Sequence, residues 1–349
     1  MPAHHQSAGG GLRQRSGIAR RGPGVAATPP IGSACPRGDA THARPCPRLS
    51  RDGTPSPSVS FPHHELFAIG IGGPIPLAFP QGLVSPEHVF DGLPAGIYEA
   101  LRTFEHNRFI GLKAHLDRAQ RSMQQFGMST PLETQGLRSA LHTIATGFAG
   151  KDAKIRIDFL TSAATALGTD CRVIALASEL RLPGAETYAR GVCSELVDQL
   201  RRNRPQIKES SWVVDRRPAG GGTPTNYESV LVSPDGMLLE GVMSNFFAVK
   251  GEKVITAPES GVLPGITRGI VLELARKLGL PCGEQPIQRG DISSLQEAFF
   301  STSVRSIVPV VKLDGTTLGS GVPGPVTLQL MEAYGDYCRS EARPAEPEA

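Results

Sequence analysis

The chain has 349 residues, enough for two domains of ordinary size, and a formal net charge of only +3 at pH 7. This charge is too small to indicate a nucleic-acid-binding protein, and no apolar run approaches the roughly 20 residues that span a bilayer. The six cysteines are scattered without a Cys-x-x-Cys pair, which favours a reducing compartment over a zinc site or a disulfide framework. We therefore expect no nucleic-acid partner and no membrane partner.

Residues 1–60 form a separate segment by composition. They contain eight arginines, nine prolines and only two acidic residues, Asp39 and Asp52. Almost no long apolar side chain is available for burial, so we expect this extension to be disordered. An Arg-rich, acid-poor composition is also typical of organelle transit peptides. A cytoplasmic location is expected, with a plastid or a mitochondrion as the alternative if the segment is a transit peptide.

Ordered structure is predicted from about residue 61. Residues 61–182 are predicted to form a small α/β domain. Alternating or continuous apolar residues predict strands, and apolar residues at helical spacing predict helices that end at Gly127 and Gly147. The predicted elements are strands Leu66–Ile71 and Gly96–Phe104, a hairpin turn at His106-Asn107, helices Lys113–Phe126 and Leu132–Gly147, and strands Ile155–Leu160 and Arg172–Leu176. Leu182-Pro183-Gly184 is the predicted link to a second domain over residues 187–338, with a disordered tail over 339–349.

The stretch Ile207–Gly241 carries the candidate chemistry of the second domain. Lys208 is followed by small polar residues, and a predicted hairpin after a strand Gly191–Val197 ends near Glu240. A buried lysine is a usable nucleophile, because desolvation lowers its pKa. A lysine with a facing carboxylate is the minimum apparatus for holding a pyridoxal cofactor, one at the aldehyde and one at the pyridine nitrogen. Taken alone, such a pair is more often a surface lysine and a strand-end glutamate.

A second candidate feature is the loop Gly261–Arg268, which runs into a predicted amphipathic helix Gly269–Leu278. A loop that places free backbone N–H groups at a helix N-terminus is an anion site, where these donors and the helix dipole act together. A predicted strand Glu297–Ser303 ends in hydroxyl side chains that could face the same anion. A plain helix start and a plain Ser/Thr turn remain the alternatives.

These segments, in this order, resemble the class IV (fold-type IV) pyridoxal-phosphate enzymes, which include branched-chain and D-amino acid aminotransferases and aminodeoxychorismate lyases. The resemblance covers about residues 62–338. Its motifs are Tyr98-Glu99-Ala100-Leu101-Arg102, His115-Leu116-Asp117-Arg118 with Ser122, Leu239-Glu240-Gly241 with Ser244-Asn245-Phe246-Phe247, Leu263–Arg268, and Pro309-Val310 with Gly321 and Gly324-Pro325. It implies an α/β (α+β) fold, in which a small N-terminal α/β domain precedes a larger C-terminal β-barrel-like α/β domain.

The resemblance also implies roles for particular residues. Lys208 would form a Schiff base with pyridoxal 5′-phosphate and move the proton between the substrate Cα and the cofactor C4′, and Glu240 would bind the pyridine N–H. Arg118, Ile266 and Thr267 would bind the phosphate. Ser303, at a position where the family usually has a threonine, would bind it as well. Arg156 would meet a substrate carboxylate, and Tyr98 would be an aromatic wall of the substrate pocket.

The chain departs from the family pattern after Lys208. Val213 stands where some aminotransferases have a tyrosine, and earlier in the chain Lys154 stands where branched-chain members often have one. The arginines Arg216 and Arg217 could bind a carboxylate, but we expect them to be solvated loop residues. The implied activity is transamination between a branched-chain-like amino acid and a 2-oxo acid by a homodimer. Aminodeoxychorismate lyase activity on the same scaffold, and cofactor binding without turnover, remain the alternatives.

Overall fold

The fold is taken from a computed structural model that describes residues 60–219, 222–223 and 225–345. The predicted disorder of residues 1–59 and 346–349 lies outside these residues. No helix in the described ranges is both long enough and apolar enough to cross a membrane.

The first half of the chain forms a five-stranded antiparallel sheet covered by two helices. Its elements are β1 His64–Gly70, β2 Gly73–Leu77, β3 Gly96–Arg102, β4 Arg108–Phe109, α1 Leu112–Phe126, α2 Thr134–Gly147, β5 Ala153–Leu160 and β6 Val173–Glu179, with short 3-10 helices at Pro86–Phe90 and Thr165–Leu167. The strand order is β2-β1-β6-β5-β3, which leaves one edge of β3 without a strand partner from this sheet. The apolar faces of α1 and α2, including Leu116 and Leu141, pack on Ile97 and Ile155 of the sheet.

The second half of the chain forms an eleven-stranded sheet with helices on its outside, and its last short strand lies outside this sheet. Its elements are α3 Ala185–Arg190, β7 Val192–Ser194, β8 Leu196–Val197, α4 Trp212–Asp215, β9 Val230–Val232, β10 Met237–Gly241, β11 Asn245–Lys250, β12 Lys253–Thr256, α5 Ile266–Lys277, β13 Cys282–Glu284, β14 Ile287–Gln288, β15 Glu297–Thr302, β16 Ser306–Leu313, β17 Thr316–Thr317, α6 Pro325–Glu341 and β18 Arg343–Pro344, with 3-10 helices at Arg217–Ala219, Glu259–Gly261 and Arg289–Ser294. Successive side chains of β11 point to opposite faces. Phe246 joins the inner core with Phe300, and Phe247 packs outward with Phe299 under α5 and α6.

This second sheet curls into a barrel-like ring because β7 and β8 join its two ends. β7 pairs in parallel with β16, whereas β8 pairs in parallel with β9, and only Glu195 separates the two strands. The predicted single strand Gly191–Val197 is therefore two short strands. Each of these strands is hydrogen-bonded to a different neighbour, and the local sequence cannot predict such long-range pairings.

Residues 339–345 also differ from the expected disordered tail. α6 continues to Glu341, and β18 pairs with β4 through Arg343 and Phe109. Ala342 and Ala345 are buried in the helix-covered cores of the two sheets, and Arg108 Nε donates to the Ala342 carbonyl at 3.0 Å. Burial of these small side chains orders a segment whose composition alone resembles a tail.

The segment between β8 and β9 crosses from one core to the other. Ile207, 4% exposed, packs in the core of the five-stranded sheet, whereas Trp212, 3% exposed, packs with Leu231 and Val242 of the second half. The indole N–H of Trp212 donates to the Val242 carbonyl at 2.9 Å. The four residues between these two apolar anchors, which include Lys208, are therefore held at both ends.

This double anchoring predicts that Ile207→Ala lowers the free energy of unfolding by about 2–5 kcal/mol, because it removes a buried aliphatic side chain. Chemical denaturation of the purified protein measures the change. Val214→Ala is the matched control, since Val214 is 45% exposed on the same segment and its loss should change stability by no more than about 0.5 kcal/mol. Equal effects of the two substitutions would contradict the anchoring.

Candidate active site

Lys208 is held against the free edge of β3 by main-chain hydrogen bonds. The Tyr98 N–H donates to the Lys208 carbonyl at 2.8 Å, and the Ser210 N–H donates to the Gly96 carbonyl at 3.0 Å. Ile97 and Glu209 form an antiparallel bridge between these two bonds. The Lys208 side chain lies along Tyr98, with its Nζ 4.6 Å from the centre of the phenol ring.

Lys208 opens into a cavity of about 270 Å³ whose walls come from both halves of the chain. Seven of the eight residues that the sequence predicts for the site line this cavity. They are Tyr98, Arg118, Lys208, Glu240, Ile266, Thr267 and Ser303. The structure thus brings together residues that are up to 205 positions apart in sequence.

Glu240, near the end of β10, lies in the wall of the cavity and is 2% exposed. Its Oε2 accepts from the Leu263 N–H at 3.1 Å and from Asn245 Nδ2 at 3.3 Å. Its Oε1 is buried without a hydrogen-bond partner among the described residues, although Arg202 Nε lies 2.9 Å away in a geometry that forms an ion pair only. Burial raises the pKa of Glu240, while Arg202 and the Leu263 N–H act in the opposite direction.

An anion cradle lies at the N-terminus of α5. The helix begins at Ile266, three residues earlier than predicted, so the N–H groups of Ile266 and Thr267 belong to its first turn. Gly265 precedes the helix and provides no capping side chain, which leaves these donors free for a ligand. A Cβ on Gly265 would collide with Asn245, the residue that holds Glu240.

The cradle also contains hydroxyl groups and a buried hydrogen-bond network that includes His115 and Glu99. Thr267 Oγ1 and Ser303 Oγ lie 3.3 Å apart, and His115 Nε2 lies 3.3 Å from the Ser303 hydroxyl. His115 Nδ1 lies 2.8 Å from Glu99 Oε2, and burial lowers the pKa of His115, so the neutral ring donates to Glu99 and accepts from Ser303. His115 therefore links the cradle to Glu99 through Ser303.

Arg118 is fixed in the same network. Its Nε and Nη2 donate to the Glu99 carboxylate at 2.8 and 2.6 Å, and its Nη1 donates to the Pro264 carbonyl at 3.1 Å. These contacts use three of the five N–H donors of the guanidinium, and two remain for an anion in the cavity. Burial by itself would raise the pKa of Glu99, but Arg118 and His115 hold it well below its usual range.

Arg156, the eighth predicted residue, does not belong to the cavity wall. Its Nε and Nη2 donate to Asp158 at 2.7 and 2.9 Å in a buried bidentate pair, and its guanidinium stacks on Phe90 at 3.8 Å. Ser210, two residues after Lys208, donates to the same Asp158 at 2.8 Å. The role of Arg156 towards a substrate carboxylate stays a prediction, and in this geometry its side chain supports Tyr98 and the Lys208 segment.

Four arginines that line the cavity were not assigned to the site from the sequence, namely Arg181, Arg202, Arg216 and Arg305. Arg202 faces Glu240 and stacks on Trp212, with 4.6 Å from its guanidinium carbon to the ring centre. Arg216 lines the cavity and donates to the Tyr98 hydroxyl at 3.3 Å, so the expectation that it is a solvated loop residue is wrong. Arg217 does lie at the surface, where it pairs with Asp91. Only nearness to Lys208 in sequence could have pointed to Arg202 and Arg216.

The cations around Tyr98 and Lys208 shift the titration of both groups. Burial lowers the pKa of Lys208, Tyr98 counteracts this, and Arg118 lowers it further, which favours the neutral nucleophilic amine. Burial alone would raise the pKa of Tyr98, but Lys208, Arg216 and Arg202 together lower it to about 7. The arrangement can therefore exchange protons near neutral pH.

The donor set fits the pyridoxal phosphate that the sequence resemblance implies. The unpartnered Oε1 of Glu240 suits a pyridine N–H, and the free N–H groups of Ile266 and Thr267 with Arg118 suit a phosphate. The amine of Lys208, whose pKa is lowered by burial, suits an aldehyde. Each of these groups opens into the same cavity.

Comparisons with known proteins point to one family. Residues 96–313 match the sequence model of the family described as amino-transferase class IV. A D-alanine aminotransferase of Bacillus licheniformis is 27% identical over 255 residues, which cover 70% of this chain and 88% of the relative. The matched region includes every residue assigned above to the cavity, from Tyr98 to Arg305.

The fold is similar to that of solved structures as well. The structure of a branched-chain aminotransferase of the thermophilic archaeon Thermoproteus uzoniensis with norvaline covers 81% of this chain and 99% of its own, with a TM-score of 0.63 and 22% sequence identity. The crystal structure of another branched-chain amino acid aminotransferase, with pyridoxamine 5′-phosphate, covers 81% of this chain and 98% of its own, with a TM-score of 0.67 and 20% identity. At these identities the likeness establishes the two-part fold with its barrel-like sheet.

The buried ion pair of Glu99 and Arg118 predicts that Glu99→Gln lowers the free energy of unfolding at pH 7 by about 3–5 kcal/mol, because Arg118 is left without its buried counter-charge. The pKa of Glu99 is depressed in the folded state, so its stabilisation is present above the ordinary glutamate pKa of about 4.3 and declines as the pH falls below it. Denaturant unfolding at several pH values measures both effects. Glu105→Gln, at a 78% exposed side chain paired with Arg108, should cost no more than about 1 kcal/mol at any of them.

Tyr98 should titrate near pH 7 in the cofactor-free protein, which the ultraviolet absorbance of phenolate measures. The four other tyrosines have pKa values raised by burial, so they should not contribute to this step. Tyr98→Phe should remove the step, and Lys208→Met should move it to higher pH because a neighbouring positive charge is lost. A step that persists in Tyr98→Phe would contradict this assignment.

Proposed function

The chain belongs to the class IV aminotransferase family, and we propose that it is a pyridoxal-5′-phosphate-dependent aminotransferase that moves an amino group between a branched-chain-like amino acid and a 2-oxo acid. The observation that carries the proposal is the meeting of three different groups in one cavity. These groups are an amine with a lowered pKa at Lys208, a buried carboxylate oxygen without a hydrogen-bond partner at Glu240, and the uncapped N-terminus of α5.

Each group would hold one part of the cofactor. Lys208 Nζ would bind the aldehyde carbon covalently, through a Schiff base, Glu240 would accept the pyridine N–H, and the first turn of α5 with Arg118, Thr267 and Ser303 would bind the phosphate. When bound, pyridoxal phosphate supplies a reactive aldehyde and a ring that accepts electrons from the substrate Cα. Retention of the negative charge on Glu240 would keep the pyridine nitrogen protonated and so strengthen this electron acceptor.

Lys208 would also perform the proton transfers. Released from the aldehyde by an incoming amine, its Nζ becomes a base with a lowered pKa that can remove the proton from the substrate Cα. The Tyr98 ring beside it would limit the directions in which Nζ can move. Lys208 would return the proton to the cofactor C4′, and water would then release the oxo acid while the amino nitrogen stays on that carbon.

The electrostatics of the cavity also support a second candidate, a lyase that releases 4-aminobenzoate and pyruvate from aminodeoxychorismate. Seven basic side chains and one acidic side chain line the cavity, and such a lining favours a substrate with two carboxylates. The two activities are distinguished by their products. A lyase would form pyruvate from aminodeoxychorismate and would not require an oxo acid as second substrate.

The proposal predicts that the purified protein is yellow with pyridoxal phosphate, loses the colour with a suitable amino acid, and regains it with a 2-oxo acid. The visible spectrum, recorded against a panel of L- and D-amino acids, measures this and identifies the donor. Colour that no amino acid changes would favour the lyase if aminodeoxychorismate yields pyruvate, and a binding protein without turnover if it does not.

Lys208→Ala should abolish covalent attachment of the cofactor. Borohydride reduction followed by peptide mass analysis measures the attachment directly, without any activity assay. Lys277→Ala is the matched control, because Lys277 is 63% exposed and pairs with Glu273 far along α5. Attachment that survives in Lys208→Ala, or a protein that takes up no cofactor, would contradict the proposal.

A further inference from the structure

The basic side chains of the cavity differ in whether a carboxylate neutralises them. Five of the seven have a carboxylate within 4 Å. The pairs are Arg118 with Glu99, Lys154 with Glu87, Arg181 with Glu179, Arg202 with Glu240, and Arg305 with Glu228. Lys208 and Arg216 have no such partner among the described residues. Since Lys208 is assigned to the cofactor aldehyde, Arg216 is the remaining unneutralised cation of the cavity.

Arg216 is held in place by the element that precedes it. It follows the short helix α4, whose residues Trp212 and Val213 are buried, and its N–H donates to the Trp212 carbonyl at 3.1 Å. The side chain reaches from there to the Tyr98 hydroxyl at 3.3 Å and to the Val242 carbonyl at 3.4 Å. Both contacts are long, so neither group is a strong partner of the guanidinium. Arg216 also lines the cavity.

Arg216 and Lys208 approach the same phenol ring from different points. Lys208 Nζ lies 4.6 Å from the ring centre, and Arg216 Nη1 lies near the hydroxyl at the end of the ring. A substrate whose nitrogen is exchanged at Lys208 would therefore extend along Tyr98 towards Arg216. A guanidinium presents paired N–H donors that match a carboxylate and hold it in a defined orientation.

We propose that Arg216 binds a carboxylate of the substrate and thereby selects amino acids and oxo acids over amines that lack a carboxylate. This inference rests on the proposed aminotransferase function and names a specificity-determining residue for it. Tyr98 contributes its hydroxyl to the same carboxylate and is held beside Arg216 by the β3 edge.

The other arginines are poorer candidates for this role. Arg156 has its Nε and Nη2 donors occupied by Asp158 and is not part of the wall. Arg305 donates to both Glu228 and Tyr227, and Arg181 is 78% exposed. Glu87, which shares an outer pocket with Arg216, is paired with Lys154 and leaves Arg216 available.

The first test compares two neighbouring substitutions in the cofactor-loaded enzyme, Arg216→Gln and Arg217→Gln. Arg217 has the same chemistry but pairs with Asp91 at the surface, so its loss should change kcat/KM less than about twofold. Loss of Arg216 should lower kcat/KM for the best amino acid donor by roughly 100-fold or more, since charge-assisted hydrogen bonds are removed. For the primary amine with the same carbon skeleton and no carboxylate, Arg216→Gln should change kcat/KM less than about threefold.

A second readout is independent of turnover. Calorimetry with an unreactive monocarboxylic acid, the substrate skeleton without its amino group, measures carboxylate affinity in the holoenzyme. Arg216→Gln should raise the Kd roughly 100-fold, and Arg216→Lys, which keeps the charge without the planar fork, should raise it less. A Kd that rises for every acid assigns Arg216 to the carboxylate next to Cα. A Kd that rises for dicarboxylic acids alone assigns it to a side-chain carboxylate.

These results separate the two proposals. Unchanged kcat/KM for the amino acid and unchanged carboxylate affinity in Arg216→Gln, with thermal unfolding like that of the wild type, would overturn the role of Arg216 and leave the aminotransferase function intact. A wild-type protein that binds carboxylates through Arg216 but converts no amino acid would overturn the aminotransferase function alone. Equal losses for the amine and the amino acid would show a structural role and would also refute the inference.

Discussion

The pairing of residues 208–210 with the edge of β3 is the constraint on which the site depends. Two main-chain hydrogen bonds fix Lys208 to the five-stranded sheet, while Trp212, four residues later, is buried in the other half of the chain. The residues expected to bind the phosphate come mainly from α1, α5 and the end of β15. Without this pairing, the lysine would have no fixed position relative to them, and orientation is a large part of what such a site supplies.

The buried charges around the cavity are mostly neutralised in ion pairs. Glu99 neutralises Arg118 and orients His115, Asp158 neutralises Arg156 and accepts from Ser210, and Glu228 neutralises Arg305. A buried charge without a partner is costly, so the few polar groups left unmatched carry information about function. Among the described residues that line this cavity, Lys208 and Arg216 have no carboxylate within 4 Å, and Glu240 Oε1, Arg202 Nε and Ser301 Oγ are buried without a hydrogen-bond partner.

The cavity is strongly basic although the whole chain carries a net charge of only +3. Net charge describes the chain average, whereas the potential in a cleft depends on the few charges that face it. Here the N-terminus of α5 adds its dipole to the basic side chains at one end of the cavity. This charge distribution suits the phosphate and the carboxylate that we propose to bind at separate positions.

The sequence by itself predicted most elements and the residues that we expect to bind the phosphate and the rest of the cofactor. Apolar periodicity predicted α1, α2 and the central strands, and the resemblance to class IV pyridoxal-phosphate enzymes implied seven residues that the fold brings into one cavity. The sequence could not determine the division of β7 from β8 at Glu195, the order of residues 339–345, or which arginine is left unpaired. Each of these depends on partners far away in sequence. Asp158 engages Arg156 and no carboxylate of the described residues engages Arg216, because tertiary packing decides which charges meet.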